Sequence, residues 1–192
     1  MAGKVYNKKS TAKEIADDFS EVLKQKTVVV TGGNIGIGLE TVKALASVGC
    51  RVLLLSRSLD NATKAIEMEI KKSGTGNYTV TNGDIKVVVC DLNDLDSIKN
   101  CANEILKEER IDFLINNAGI MAPPKKLTTK YGWEMQLATN HYGHFYLTSL
   151  LMPKMKAQNF ESRIINISSL LHEKCAFDIE DLHYEKRPYD AW

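Results

Sequence analysis

The sequence predicts an α/β fold built on a doubly wound parallel sheet. Three observations carry this. Short runs of β-branched and aliphatic residues alternate with stretches of helical periodicity, the order that lays crossover helices on a parallel sheet. The runs are apolar without alternation, as strands covered on both faces are. A glycine-rich turn follows the first run directly and leads into a helical pattern.

The elements follow in order. Thr11 and Glu14 have the spacing of a capping box, and Ile15, Phe19, Val22 and Leu23 then share one face. This predicts a helix in an extension over 1–25, packed on the domain or serving a partner. The first strand is expected at Thr27-Val28-Val29-Val30 and the second at Arg51-Val52-Leu53-Leu54-Leu55. The third falls at Lys86-Val87-Val88-Val89-Cys90, the fourth at Phe113-Leu114-Ile115 and the fifth at Arg163-Ile164-Ile165-Asn166-Ile167. Between the first two strands Val42, Leu45 and Ala46 form an apolar stripe that stops at Gly49, a C-cap residue. Leu95, Ile98, Cys101, Ala102, Ile105 and Leu106 repeat at helical spacing, with Asn93 or Asp94 available as the cap. A long helix is expected from about Gly132 towards Met155, bent or ended by Pro153. Residues 73–83 are rich in Gly, Ser, Thr and Asn and read as a loop.

Composition bounds the function. A chain of 192 residues is one domain by length, with residues 26–192 as its body, and 44% apolar residues suffice for a core. A net charge of +1 gives no reason to expect nucleic acid or an anionic membrane as partner. No apolar run approaches the roughly 20 residues of a membrane helix, and the charged N-terminus does not read as a secretory signal. The cytoplasm is the default compartment, with an organelle or membrane surface left open. Cys50, Cys90, Cys101 and Cys175 show no metal-ligand spacing; small buried hydrophobes are favoured over disulfides. His141 and His144 lie three apart without a third ligand nearby, so no metal is expected.

The glycine-rich turn is the strongest chemical signal. It reads Thr31-Gly32-Gly33-Asn34-Ile35-Gly36-Ile37-Gly38. Glycines there let backbone approach a pyrophosphate, and the following helix N-terminus aims unpaired N–H groups at the anion. The second strand ends in Ser56-Arg57. A carboxylate at that place would hold the ribose 2′-hydroxyl of NAD, whereas a guanidinium pairs with the 2′-phosphate of NADP. NADP is therefore favoured over NAD.

Further motifs occur in a fixed order: Asp91-Leu92, Asn116-Asn117-Ala118-Gly119, Asn140-His141-Tyr142-Gly143-His144-Phe145 and Arg163-Ile164-Ile165-Asn166-Ile167-Ser168-Ser169. With the Thr-Gly-x-x-x-Gly-x-Gly turn, these resemble the short-chain dehydrogenase/reductase family from about Thr27 onward. Ser10-Thr11-Ala12-Lys13-Glu14, Asn117 to Ala122 and Asn140 to Phe145 resemble its retinol-dehydrogenase-like and chloroplast-envelope branch. The resemblance implies a Rossmann-type sheet, with about five of the family's seven strands, and hydride transfer between NADP and a small carbonyl or alcohol, lipophilic substrates included. It implies that Thr31, Gly32, Asn34, Ile35, Gly36, Gly38, Arg57, Asp91, Leu92, Asn117, Ala118 and Gly119 meet the cofactor. It makes Ser169 the group that polarises the substrate oxygen and Asn140 the support of a proton-relay water.

The family also uses a tyrosine acid four residues before a lysine. None of the seven tyrosines has lysine at that spacing; Pro188 stands four after Tyr184. In the similar branch a stretch like Tyr189-Asp190-Ala191-Trp192 precedes that pair. The expectation is a chain cut before its acid and its oligomer-forming elements, and inactive alone. Its fifth strand would then be an apolar open edge and residues 1–192 marginally stable. The alternative is a non-catalytic NADP(H)-binding or regulatory protein.

Overall fold

A computed structural model describes residues 4–70, 84–173 and 178–191. Five parallel strands form one sheet: β1 (Thr27–Thr31), β2 (Arg51–Ser56), β3 (Asp84–Val89), β4 (Phe113–Asn116) and β5 (Arg163–Asn166), in spatial order β3-β2-β1-β4-β5. From β1 the chain winds outward through β2 to β3, then crosses back to place β4 on the other side of β1. The winding therefore reverses between β1 and β4, which opens a crevice at the strands' C-terminal ends.

The apolar runs of β1, β2 and β4 are buried on both faces, as the sequence implies, whereas β3 and β5 at the sheet's two edges are partly exposed. Alternate residues divide between two cores. Val29, Leu53, Leu55 and Leu114 pack with Ile98, Cys101 and Ile105 of α5 (Leu95–Ile105) and with Leu147, Leu151 and Met155 of α7 (Gly143–Ala157). Val28, Val30, Val52, Leu54 and Ile115 pack with Leu39, Val42 and Ala46 of α3 (Gly36–Ser47) and Ala62 of α4 (Leu59–Ala65). Cys50, Cys90 and Cys101 are free and buried; Cys175 and the loop at 73–83 lie outside the described residues.

Two expected helices differ in detail. The N-terminal helix breaks at Phe19 into α1 (Ala12–Asp18) and α2 (Ser20–Leu23). The Thr11 hydroxyl accepts Glu14 N–H at 3.1 Å, but the Glu14 carboxylate pairs with Lys4 instead of reaching back. The break turns the predicted apolar face outward: Ile15, Phe19 and Val22 are 36%, 42% and 58% exposed, while the small Ala16 is buried and Leu23 joins the core. The long helix starts later and is irregular. It runs as α6 (Met135–Leu137), a π-helical turn at Ala138–Tyr142, and α7. Pro153 does not end α7, which continues to Ala157. β5 is paired on one side, with Ile165 and Ile167 exposed. No helix among the described residues is long and apolar enough to cross a membrane.

Candidate dinucleotide site

A cleft of about 730 Å³ opens at the C-terminal ends of β1, β2 and β4. The loop after β1 contributes Thr31, Gly32, Asn34, Ile35 and Gly38. The end of β2 contributes Ser56 and Arg57, the turn after β3 contributes Asp91 and Leu92, and the segment after β4 contributes Asn117, Ala118 and Gly119. Leu55, Ser58, Asn61, Cys90, Ile120, Thr139 and Ile167 add to the wall, none of them assigned to the cofactor from sequence. Gly36 stands in the same loop. A second hollow, about 660 Å³, is walled by Thr11, Ala12, Lys13, Glu14, Asp17, Asp18 and Glu40, four carboxylates against one lysine.

Close packing fixes the loop. A Cβ at Gly38 would lie 2.3 Å from the Gly32 carbonyl oxygen and 2.5 Å from Asn117 Nδ2, so no larger residue fits. Gly32 has φ +65°, and a Cβ there would sit 3.0 Å from the Ala118 backbone. Gly36 also has a positive φ, +58°, yet nothing lies within 4 Å of where its Cβ would be.

The start of α3 carries no side-chain cap; that of α7 also lacks one, but α7 continues directly from the π-helical turn. Thr11, Ser58 and Asp94 cap α1, α4 and α5 with side-chain oxygens. The residue before α3 is Ile35, which has no capping atom, and its first turn holds no acidic residue. The first-turn N–H groups are left for an external acceptor. Ile35 and Ile37 flank them at 74% and 75% exposure. Unpaired N–H groups, apolar walls and an uncrowded Gly36 fit a dinucleotide's pyrophosphate and rings. Arg57 is exposed and makes no ion pair among the described residues, while Ser56 and Ser58 bond to each other.

β1 and β4 are joined through side chains. The Thr31 hydroxyl accepts the N–H groups of Asn117 and Ala118, each at 2.9 Å, and Asn117 Nδ2 donates to the Thr31 carbonyl at 2.9 Å. Asn116 Nδ2 donates to Asn166 Oδ1 at 2.8 Å and Thr148 Oγ1 at 3.1 Å, while its own buried Oδ1 has no partner. Asn140 sits in the π-helical turn. Its amide brackets Ile120, accepting the N–H at 2.9 Å and donating to the carbonyl at 3.0 Å.

The two histidines diverge. His144 is buried against Thr31, whereas His141 is exposed and lies against Tyr142 and Phe145. Ser169 is exposed beyond β5, and its Oγ accepts Leu171 N–H at 3.2 Å; it shares no hydrogen bond with Asn140. Lys186 Nζ donates to the Glu180 carbonyl at 3.0 Å, and the Tyr184 ring lies 4.6 Å from the Arg187 guanidinium.

The fold is a Rossmann-like parallel α/β sheet with a cleft at the point where its winding reverses. The profile of the short chain dehydrogenase family matches residues 26–177, and the chain belongs to that family, whose members are NAD(P)-dependent oxidoreductases. It is 42% identical over 167 residues to human retinol dehydrogenase 13, covering 86% of this chain and 48% of that protein. A Mycobacterium paratuberculosis structure superposes with TM-score 0.73 at 35% identity, covering 88% of this chain and 56% of that one. A metagenomic short-chain oxidoreductase in complex with NADP superposes with TM-score 0.63 at 32% identity, covering 77% and 64%. The chain spans about half the length of the curated relatives it matches.

Proposed function

We propose that this chain binds NADP(H) in the cleft between β1 and β4 and forms the cofactor side of a carbonyl-reducing or alcohol-oxidising site. The supporting observation is that the uncapped start of α3 (Ile35, Ile37 and Gly38) and Arg57, which makes no ion pair among the described residues, line one cleft. The first-turn N–H groups of α3 hold the pyrophosphate. Arg57 pairs with the 2′-phosphate, with Ser56 and Ser58 beside it. Asp91 and Leu92 border the adenine. Thr31 braces Asn117 and Ala118, so that backbone from Asn117 to Gly119 faces the cofactor without shifting. When bound, the dinucleotide supplies or accepts the hydride.

Ser169 polarises the substrate oxygen. Its Oγ accepts from Leu171, which leaves its own hydrogen to donate. Asn140 supports the proton-relay water of the family scheme. The acid needs a cation beside it, because an unperturbed tyrosine near 10 is a poor donor at neutral pH. Tyr184 does not meet that need: Lys186 is committed to Glu180, and Pro188 stands where lysine belongs. Residues 1–192 by themselves therefore bind cofactor without turning over. The relatives named for retinol point to a lipophilic alcohol or aldehyde as the substrate class.

The test is fluorescence titration of the chain with NADPH and NADH, then an assay on retinaldehyde. Saturable binding that favours NADPH, without turnover, is expected. No saturable binding refutes the proposal. A non-catalytic NADP(H)-binding role is the second reading, since Tyr184, the tyrosine that follows Ser169 in these residues, has Pro188 four positions on. It fails if a longer form of the chain reduces a carbonyl.

A further inference from the structure

His144 is buried and makes two ring hydrogen bonds, neither to a charged group. Nδ1 lies 3.1 Å from the Asn140 carbonyl oxygen and Nε2 lies 2.8 Å from Thr31 Oγ1. A carbonyl oxygen can only accept, so Nδ1 carries the hydrogen. A neutral ring then has a lone pair at Nε2, and Thr31 Oγ1–H donates to it. Both lone pairs of Oγ1 remain for the N–H groups of Asn117 and Ala118. The opposite tautomer would aim three donors at one hydroxyl oxygen. It would also leave the Thr31 hydrogen only the Ile115 carbonyl, at 3.5 Å.

The same residues close a ring. Thr31 holds Ala118, the backbone runs on to Ile120, Asn140 brackets Ile120, and His144 joins Asn140 back to Thr31. The segment from Asn117 to Ile120 is thus gripped at both ends, and His144 is the link between the grips. It does not line the cleft itself and bears on it through Thr31, a wall residue, and through Asn140, which holds the wall residue Ile120.

We propose that His144 is a positioning residue: as the Nδ1–H tautomer it locks the glycine loop after β1 to the Asn140 turn and so fixes the backbone that faces the dinucleotide. The functional part of this rests on the cofactor reading above; the tautomer and the bracing do not.

The first experiment is long-range ¹H–¹⁵N correlation of the histidine rings in the unmutated chain. A single Nδ1–H tautomer for His144 at neutral pH is expected. An Nε2–H tautomer, a mixture or an imidazolium would overturn the inference, whether or not any variant folds. The second is amide hydrogen exchange in His144→Phe. Asn117, Ala118 and Ile120 should exchange about tenfold faster, the equivalent of one hydrogen bond, with Leu53 and Leu114 unchanged. Uniform acceleration would mark His144 as an ordinary core residue and sink the idea. The same variant should raise the Kd for NADPH about tenfold. If it binds as tightly as the unmutated chain, positioning fails and the cofactor reading stands. If the unmutated chain does not bind, the cofactor reading fails and tautomer and exchange alone decide the bracing.

Discussion

The two ends of the sheet are built by opposite rules. At the N-terminal ends of the strands the buried polar groups are paired with one another and with backbone. The buried Asp112 carboxylate accepts Thr27 N–H at 2.9 Å and pairs with Arg110 at 2.6 Å and Lys26 at 3.1 Å. The Gln158 amide brackets Ile111, accepting its N–H at 2.8 Å and donating to its carbonyl at 2.9 Å. Glu108 gathers Arg51 and Lys86. At the C-terminal ends, α3 starts without a cap, Arg57 has no ion pair among the described residues, and Asn116 Oδ1 is buried without a partner. One end is finished internally and holds the sheet. The other leaves donors open, and Thr31, Asn140 and His144 stiffen it from behind. Capacity for binding lies where the fold leaves its polar groups unspent.

Substitutions at the two ends should therefore separate binding from stability. Gly38→Ala is expected to have the largest effect, because the new Cβ meets backbone at 2.3 Å. NADPH affinity should fall about 100-fold, corresponding to roughly 2–3 kcal/mol of overpacking. Gly36→Ala should cost less, about 1–2 kcal/mol of left-handed strain, since its Cβ meets nothing. Equal effects of the two in calorimetric titration would contradict the packing account.

At the other end, Asp112→Ala strips the acceptor from Thr27 N–H and separates Arg110 and Lys26 from their counter-charge. A loss of about 2–3 kcal/mol in urea unfolding is expected, with NADPH affinity of the folded fraction unchanged. A change in affinity would show that the ends are coupled. Arg57→Ala should do the reverse. NADPH binding should weaken about tenfold, with NADH binding and Tm left alone. An unchanged NADPH to NADH ratio would remove Arg57 from the 2′-phosphate.

The smallest effect is a difference in pH response. Burial holds the His144 ring below its ordinary value; the Asn140 carbonyl opposes this and His141 adds to it. Below about 6.5 the unfolded chain takes up a proton that the folded one resists, so this contribution is complete above that pH and declines as pH falls. Burial pushes Asp112 upward, but Arg110, the Thr27 N–H and Lys26 outweigh it and hold the carboxyl below the usual range. Its contribution persists down to about 3.9 and is lost as pH falls through the lowered folded value. On acidification the amide shifts of Asn117 and Ala118 should therefore move before that of Thr27. The reverse order would overturn the assignment of His144 to the C-terminal end.

Much of this was legible in the sequence. Unbroken apolar runs give the five strands, because a strand covered on both faces has no use for alternation. Thr31, Gly32, Asn34, Ile35, Gly38, Arg57 and Asn117 to Gly119 line one cleft, because short loops at one end of a parallel sheet have nowhere else to go. The N-terminal helix misled because periodicity marks a face but not what covers it; Phe19 breaks the helix and Ala16 makes the contact. The sequence offers Asn93 or Asp94 as the cap of α5, and the structure takes Asp94. Ser58 and Asn61 do not announce a cleft, and nothing in the spacing of His141 and His144 says that one is buried and the other exposed.

The sequence by itself determined the class of fold, the segments that form the strands and the place of the dinucleotide loop. These depend on local pattern, on glycine stereochemistry and on the fixed hand of the crossovers. Tertiary structure alone decided which N–H groups stay unpaired, how close Gly38 comes to Gly32, and which ring nitrogen of His144 carries the proton. Those depend on atoms far apart in the chain meeting within a few tenths of an ångström, and no periodicity records such distances.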